Sequence, residues 1–187
     1  MRAAGEATRE RILAAAKSEF ARFGVAGARI NRIATAAHAS KDRLYAYFPG
    51  KVELYTAVTE LWAEQTADDT EFSADDIPAY IGRLFDHFIA HPEDAQLQAW
   101  AELEPSGPDI TEILRRTVDI KIAEMRRGQR EGLVTAEIPA ALLLRMLTDL
   151  ARTAATHARQ DTSHTDDRHI ATRRAATVLA AQRIAAP

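Results

Sequence analysis

Apolar residues recur at intervals of three and four along most of the chain, and nowhere alternate with polar ones over a strand's length. That pattern predicts an all-α protein of about nine helices. Ile12, Ala16, Phe20 and Phe23 form one stripe, on a helix expected from Thr8, as N-cap, to Phe23 and ended by Gly24. Residues 1–7 are small and polar and read as loose. Ile30, Ile33, Ala34 and Ala37 then mark a second helix. After the break His38-Ala39-Ser40, with Ser40 as N-cap, a third begins at Lys41. On it Leu44 and Phe48 point inward together, which leaves Lys41, Asp42, Arg43, Tyr45, Ala46 and Tyr47 outward. Pro49 stops the helix.

The remaining helices are longer. The fourth starts near Lys51 and carries Leu54, Tyr55, Val58, Leu61 and Trp62, and residues 65–76, acidic and without period, read as a connection. Ser73 with Asp76 resembles a capping box for a fifth helix bearing Ile77, Ile81, Leu84, Phe85, Phe88 and Ile89. Pro92 interrupts, and a short sixth helix over 94–103 carries Trp100. A turn at 104–108 precedes a seventh helix, capped by Asp109 with Glu112. Its apolar positions are Ile110, Ile113, Leu114, Val118, Ile120, Ile122 and Met125; Gly128 weakens its last turns and Gly132 ends it. The eighth begins near Ile138-Pro139 and is apolar on two sides, through Leu142, Leu143, Met146, Leu147, Leu150, Ala151 and Ala154. A helix of that kind needs two partners, its own core and a second subunit. A polar loop at 160–167 leads to a ninth helix over 168–185.

Two short helices joined by a tight turn make a helix-turn-helix, whose second helix fits the DNA major groove. Lys41 and Arg43 lie near its start, where side chains meet base edges and phosphates, and Tyr45 and Tyr47 can hydrogen-bond phosphate or pack on sugar. The alternative is a surface helical hairpin with solvated charges. Charge distribution favours DNA. Residues 1–51 hold ten Lys/Arg against four Asp/Glu, whereas the other 136 hold fourteen against twenty-three, within a net charge of −3. A basic head on an acidic body suits a polyanion-binding protein.

Thr8, Ile12, Leu13, Ala16, Phe20, Gly24, Ile33, Ala34, Ala37, Ser40, Leu44, Tyr45, Phe48 and Lys51, in this order and spacing, resemble the N-terminal domain of the tetracycline-repressor (TetR) family of bacterial transcription regulators. The resemblance implies a three-helix DNA-binding domain over 1–50 and a helical ligand-binding and dimerisation domain over 51–187. The expected operator contacts are Arg29, Ser40, Lys41, Asp42, Arg43, Tyr45, Tyr47 and Lys51, with Arg29 replacing by charge the phosphate contact that a Thr or Ser usually makes in the family. Lys51 sits in a helix's first turn, where a cation opposes the helix dipole unless a phosphate joins it there. Two departures stand out. His38-Ala39 replaces the frequent Gly-Val of the turn, and Ala28-Arg29 lacks the usual Thr or Ser that caps the second helix. The expected partners are double-stranded operator DNA, a second copy joined through helices 8 and 9, and a small-molecule ligand.

Other chemistry finds little support. There is no cysteine, hence no disulfide or thiolate site. No run of 18 apolar residues exists and the N-terminus lacks a signal-peptide core, so a cytoplasmic protein is expected. His87 and His91 lie four apart on one helix face but lack the third ligand a zinc site needs, and no metal or cofactor is expected. Ser106 is outside any nucleophile-elbow motif, Glu102 and Glu104 diverge on a helix, and no phosphate-binding glycine loop occurs, so no catalytic residue is assigned. Trp62, Phe88, Trp100 and Met125 come from four helices of the body. They are the candidate walls of a pocket for a mostly apolar, neutral or cationic molecule; each taken singly also fits ordinary core. Two rivals remain: a DNA-binding dimer without a ligand, and a helical enzyme with an incidental helix-turn-helix.

Overall fold

The computed structural model describes residues 2–103, 112–160 and 167–187, and these form nine α-helices and no strand. The turn at 104–108, Ser106, Glu104, the Asp109 cap, Ile110 and His164 lie outside the described residues, as do the side chains of Glu102, Glu112, Ile113 and Leu114. In order the helices are α1 (Arg2–Gly27), α2 (Ile30–Ala36), α3 (Lys41–Tyr47), α4 (Lys51–Asp69), α5 (Ile77–Ala90), α6 (Pro92–Leu103), α7 (Glu112–Arg130), α8 (Ala140–Gln160) and α9 (Asp167–Ala185). They divide into two compact units, Met1–Glu64 with Glu93–Leu114, and Gln65–Pro92 with Arg115–Pro187.

The first unit is built on an apolar core of Ile12, Ala16, Phe20, Ile33, Ala34, Leu44, Phe48, Leu54, Tyr55 and Val58. All of these were legible as inward positions, because helical spacing puts them on one face. Phe20 and Tyr55 meet edge to face, with ring centres 5.1 Å apart. Gly24 breaks α1 as expected, at φ 65 and ψ 179, a conformation that glycine adopts without a Cβ clash, and one further turn follows to Gly27. The N-terminus differs from expectation. α1 starts at Arg2, so residues 2–7 are helical and Thr8 lies inside the helix instead of capping it.

α6 packs on α1 within this unit. Trp100 Nε1 donates to the Ala21 carbonyl of α1 at 3.0 Å, Ser18 Oγ to Glu93 at 2.6 Å, and Lys17 pairs with Asp94 at 2.6 Å. Pro92 opens α6 rather than merely interrupting, since a first-turn residue has no helical N–H bond to lose.

In the second unit α5 is the central element, packed against α8 and α9, which also pack on each other. Ile77, Tyr80, Ile81, Leu84, Phe85 and Phe88 are all buried. Its cap is Asp76 itself, whose carboxylate accepts from Ala79 N at 2.9 Å, so the Ser73–Asp76 box is replaced by a simpler arrangement. α4 runs on to Asp69, past the expected start of the connection at 65. Arg174 of α9 lies over Gly82, where a Cβ would sit 2.5 Å from its Nη2, and its Nε donates to both Asp86 oxygens at 2.8 and 2.9 Å. Gly128 of α7, expected to be a weak point, is a packing contact. A Cβ there would come within 2.5 Å of the Ala74 Cβ.

On α8 the two apolar sides separate cleanly. Leu143, Leu147, Ala151 and Ala155 are buried, whereas Leu142 and Met146 are 50% and 41% exposed. Leu179 of α9 is 48% exposed. α7 corrects its sequence reading: of its apolar residues Met125 is buried, but Val118 and Ile120 are exposed.

Candidate nucleic-acid interface

α2, the turn and α3 are fixed from several directions. Arg29 occupies the N-cap of α2 without a capping side chain. The missing acceptor comes from α1, where Glu19 accepts the Arg29 backbone N–H at 2.8 Å and Arg32 Nε at 2.8 Å. Arg32 stacks over Phe23, 4.2 Å from the ring centre, and donates to the Gly27 carbonyl at 3.0 Å. Burial alone would raise the Glu19 pKa, but the Arg32 and Arg29 hydrogen bonds outweigh it and hold the carboxyl below its usual range. Sequence reasoning missed this residue, which lies ten positions before the cap it replaces.

The turn bends at His38, whose φ of 50 is in the left-handed region. Ala37 N–H closes α2 onto Ile33 O at 2.9 Å. Ser40 caps α3 as expected, its hydroxyl accepting from Arg43 N at 3.2 Å. Leu44 is fully buried and Phe48 nearly so, which anchors the inner face of α3.

The eight expected contact residues fall into two groups. Arg29, Lys41, Asp42, Arg43 and Tyr45 are exposed, and among the described residues no side-chain hydrogen bond or ion pair occupies them; Ser40 joins them at the surface as the cap. Tyr47 and Lys51 are engaged. Tyr47 is half-buried rather than outward, and its hydroxyl donates to the Gly5 carbonyl at 3.0 Å, so it holds the extra first turns of α1. Lys51 Nζ lies 3.4 Å from both the Ala26 and Ala28 carbonyls, at the α1–α2 junction. Its charge meets two carbonyl dipoles there, which offsets its unfavourable place in the first turn of α4.

A helix-turn-helix with a capped, outwardly bare third helix is the arrangement that presents side chains to a major groove. Comparison with known proteins agrees. Residues 12–58 match the bacterial regulatory proteins of the tetR family, and residues 76–183 match the tetracyclin repressor-like C-terminal domain. The chain belongs to the TetR family. It is 41% identical to the HTH-type transcriptional repressor SCO4008 of Streptomyces coelicolor over 80% of this chain and 79% of that one. It is 24% identical to the repressor NicS of Pseudomonas putida over 70% and 68% of the two chains. The solved structure of the transcriptional regulator SCO4942 of Streptomyces coelicolor superposes with a TM-score of 0.78 at 37% identity, covering 95% of this chain and 98% of that one. The chain is therefore a TetR-family regulator with a DNA-binding helix-turn-helix.

The candidate ligand residues are spread over the two units. Trp62 and Trp100 belong to the first, Phe88 and Met125 to the second. Trp62 is buried and its Nε1 has no acceptor among the described residues, whereas Trp100 is tied to α1. Phe88 and Met125 are almost wholly buried. His87 and His91 bring their rings to 4.9 Å, with Thr66 Oγ1 3.4 Å from His87 Nε2. Among the described residues no group of three or more metal-binding side chains forms. No described helix is long and apolar enough to cross a membrane.

A polar cluster that sequence did not suggest lies in the second unit. Lys121 Nζ sits 3.4 Å from the hydroxyl of fully buried Tyr80 and 5.1 Å from its ring centre. Burial pushes the Lys121 amine down to about 8 and the Tyr80 phenol up to about 12. No ion pair offsets the Lys121 charge among the described residues.

Proposed function

We propose that this protein is a cytoplasmic homodimeric repressor that leaves its operator when a small, mostly apolar molecule binds. The observation that carries the DNA part is the outer face of α3. Lys41, Asp42, Arg43 and Tyr45 are exposed and unengaged on a helix whose inner face is locked by Leu44. Arg29, exposed at the N-cap of α2, and Lys51, in the first turn of α4, are the further candidate contacts. Two such helices must lie about 34–36 Å apart to enter successive major grooves.

Dimerisation through α8 and α9 is supported by Leu142, Met146 and Leu179, apolar side chains exposed on the same two helices. Ligand response rests on the match of residues 76–183 to the family's C-terminal domain. α4 runs from Lys51 to Asp69, so a ligand-favoured change in its tilt would move the head and weaken operator binding through differential affinity. Lys121 is a reason to doubt a cation near Tyr80, because two positive charges there would repel.

Sequencing the genomic fragments that the purified protein retains tests the DNA part, since a regulator enriches a few sites and a non-binder none. Compounds suggested by the neighbouring genes then test the ligand part. A true ligand changes the fluorescence of Trp62 and Trp100, stabilises the fold by about 2.7 kcal/mol at a hundredfold excess over its dissociation constant, and weakens operator binding. A compound that binds yet leaves operator affinity unchanged favours the ligand-free regulator.

A further inference from the structure

The head carries a second feature beside the bare face of α3. A groove of ≈ 550 Å³, open to solvent, runs between α1 and the turn. Thr8 and Arg11 of α1, His38 and Ser40 of the turn, and Arg43 of α3 line it, and none of its lining residues is acidic. Arg11 is held in place by neutral acceptors only: Nε to the Ala37 carbonyl at 3.3 Å, Nη1 to the Ala7 carbonyl at 3.4 Å and Nη2 to Thr8 Oγ1 at 3.3 Å. Its position is thus fixed while its charge stays uncompensated. His38 is exposed on a left-handed turn residue, and no other group in the described residues takes its ring nitrogens. Ser40 Oγ accepts from Arg43 N and retains its own proton for donation.

The groove therefore gathers a fixed guanidinium, a second guanidinium, an imidazole and a hydroxyl, all able to donate and none neutralised by a carboxylate. A tetrahedral oxyanion has the acceptors to match them. The groove is also open and shares Arg43 with the outer face of α3, so an anion carried on a polymer lying along α3 can enter it from the side. We propose that this groove seats a phosphodiester of the DNA backbone next to the bases that α3 faces, with Arg11, His38 and Ser40 as donors. The inference rests on the DNA-binding reading and adds α1 and the His38 turn to the interface. Arg11 then links the two tasks, since it orders the turn through Ala37 and contacts the phosphate. The sequence departure at His38 becomes a gain, because a Gly there would offer no side-chain donor.

The test uses the full chain and a mixed-sequence duplex, with affinity measured over a range of salt. Ala7 lines the groove, is exposed, and contributes no side-chain bond, so its substitution leaves the fold alone. Ala7→Lys should tighten binding and steepen the dependence of log affinity on log salt by about one. Ala7→Glu should weaken binding by about tenfold or more through repulsion. Arg11→Gln should flatten the slope by about one and His38→Gly should weaken all sequences alike, each with thermal melting as a check on folding. Wild-type binding to DNA together with unchanged affinity and slope in both Ala7 variants overturns the groove and leaves the DNA reading standing. Failure of the wild type to bind DNA at low salt overturns the DNA reading itself. Inorganic phosphate provides the other arm. Displacement of DNA no stronger than chloride gives at equal ionic strength supports a polymer-borne phosphate. Specific displacement that Arg11→Gln abolishes reassigns the groove to free phosphate and overturns the proposal.

Discussion

On α3 the exposed side chains include Lys41, Asp42, Arg43 and Tyr45, whereas on α8 and α9 they include Leu142, Met146 and Leu179. Both faces lack partners among the described residues of this chain, yet for opposite reasons. The α3 face is polar and costs nothing to leave in water, and its cations gain affinity by displacing counterions from a polyanion. The α8–α9 face is apolar and gains by leaving water, and the partner proposed for it is the same face of a second copy, apolar by symmetry. The same backbone type thus carries two surfaces whose partners are told apart by side-chain chemistry alone.

The contrast is broken most strongly at the apolar face. Met146→Arg and Leu179→Asp should each place an unpaired charge in the interface at a cost of about 3–5 kcal/mol, turning a dimer into a monomer in sedimentation velocity while the helices persist. Leu147, one position from Met146, serves as the control. It is fully buried, so Leu147→Asp should unfold the protein rather than dissociate it. A wild-type monomer at micromolar concentration would end the idea of a two-fold face.

At the polar face the effects are smaller. Arg43→Ala should relax sequence preference by about 1–3 kcal/mol where it reads a base, measured by competition between duplexes. Lys51→Ala sharpens the comparison, because Lys51 already contacts the Ala26 and Ala28 carbonyls. A salt slope flatter by about one assigns it to phosphate; a lowered melting temperature with an unchanged slope assigns it to the α1–α2 junction.

Gly128→Ala compares two opposing terms inside one unit. Helix propensity favours Ala by about 1 kcal/mol, but overpacking against Ala74 costs about 1–3 kcal/mol. Ala74 cannot retreat easily, since Glu124 holds its N–H at 3.0 Å and Arg127 ties Asp75 to Glu124. Denaturant unfolding should show a net loss of stability, and a gain would mean that the loop yields.

Glu19 gives the smallest effect. Its pKa is held below the unfolded value, so its contribution is present above about 4.3, the unfolded carboxyl value, and is lost as pH falls through the lower folded value. Glu19→Gln should therefore melt below the wild type at neutral pH, and the gap should close as pH drops below about 4.

Much of this was legible in the chain. Helix positions, the Ser40 cap, the buried Leu44 and Phe48, and the Gly24 break follow from spacing and local chemistry, which act over three or four residues and need no distant partner. The two-sided pattern of α8 likewise foretold one buried and one exposed apolar face. The misreadings share a cause. Residues 2–7 looked loose until Tyr47 reached back to Gly5. Arg29 looked uncapped until Glu19 supplied the acceptor, and Gly128 looked weak until Ala74 lay against it. Sequence by itself determined most of the helix positions and the apolar faces of α1 to α5 and α8, because both depend on near neighbours. Only the tertiary structure decided which polar groups are already engaged and which remain for DNA, because hydrogen bonds between residues far apart in the chain depend on how the helices pack.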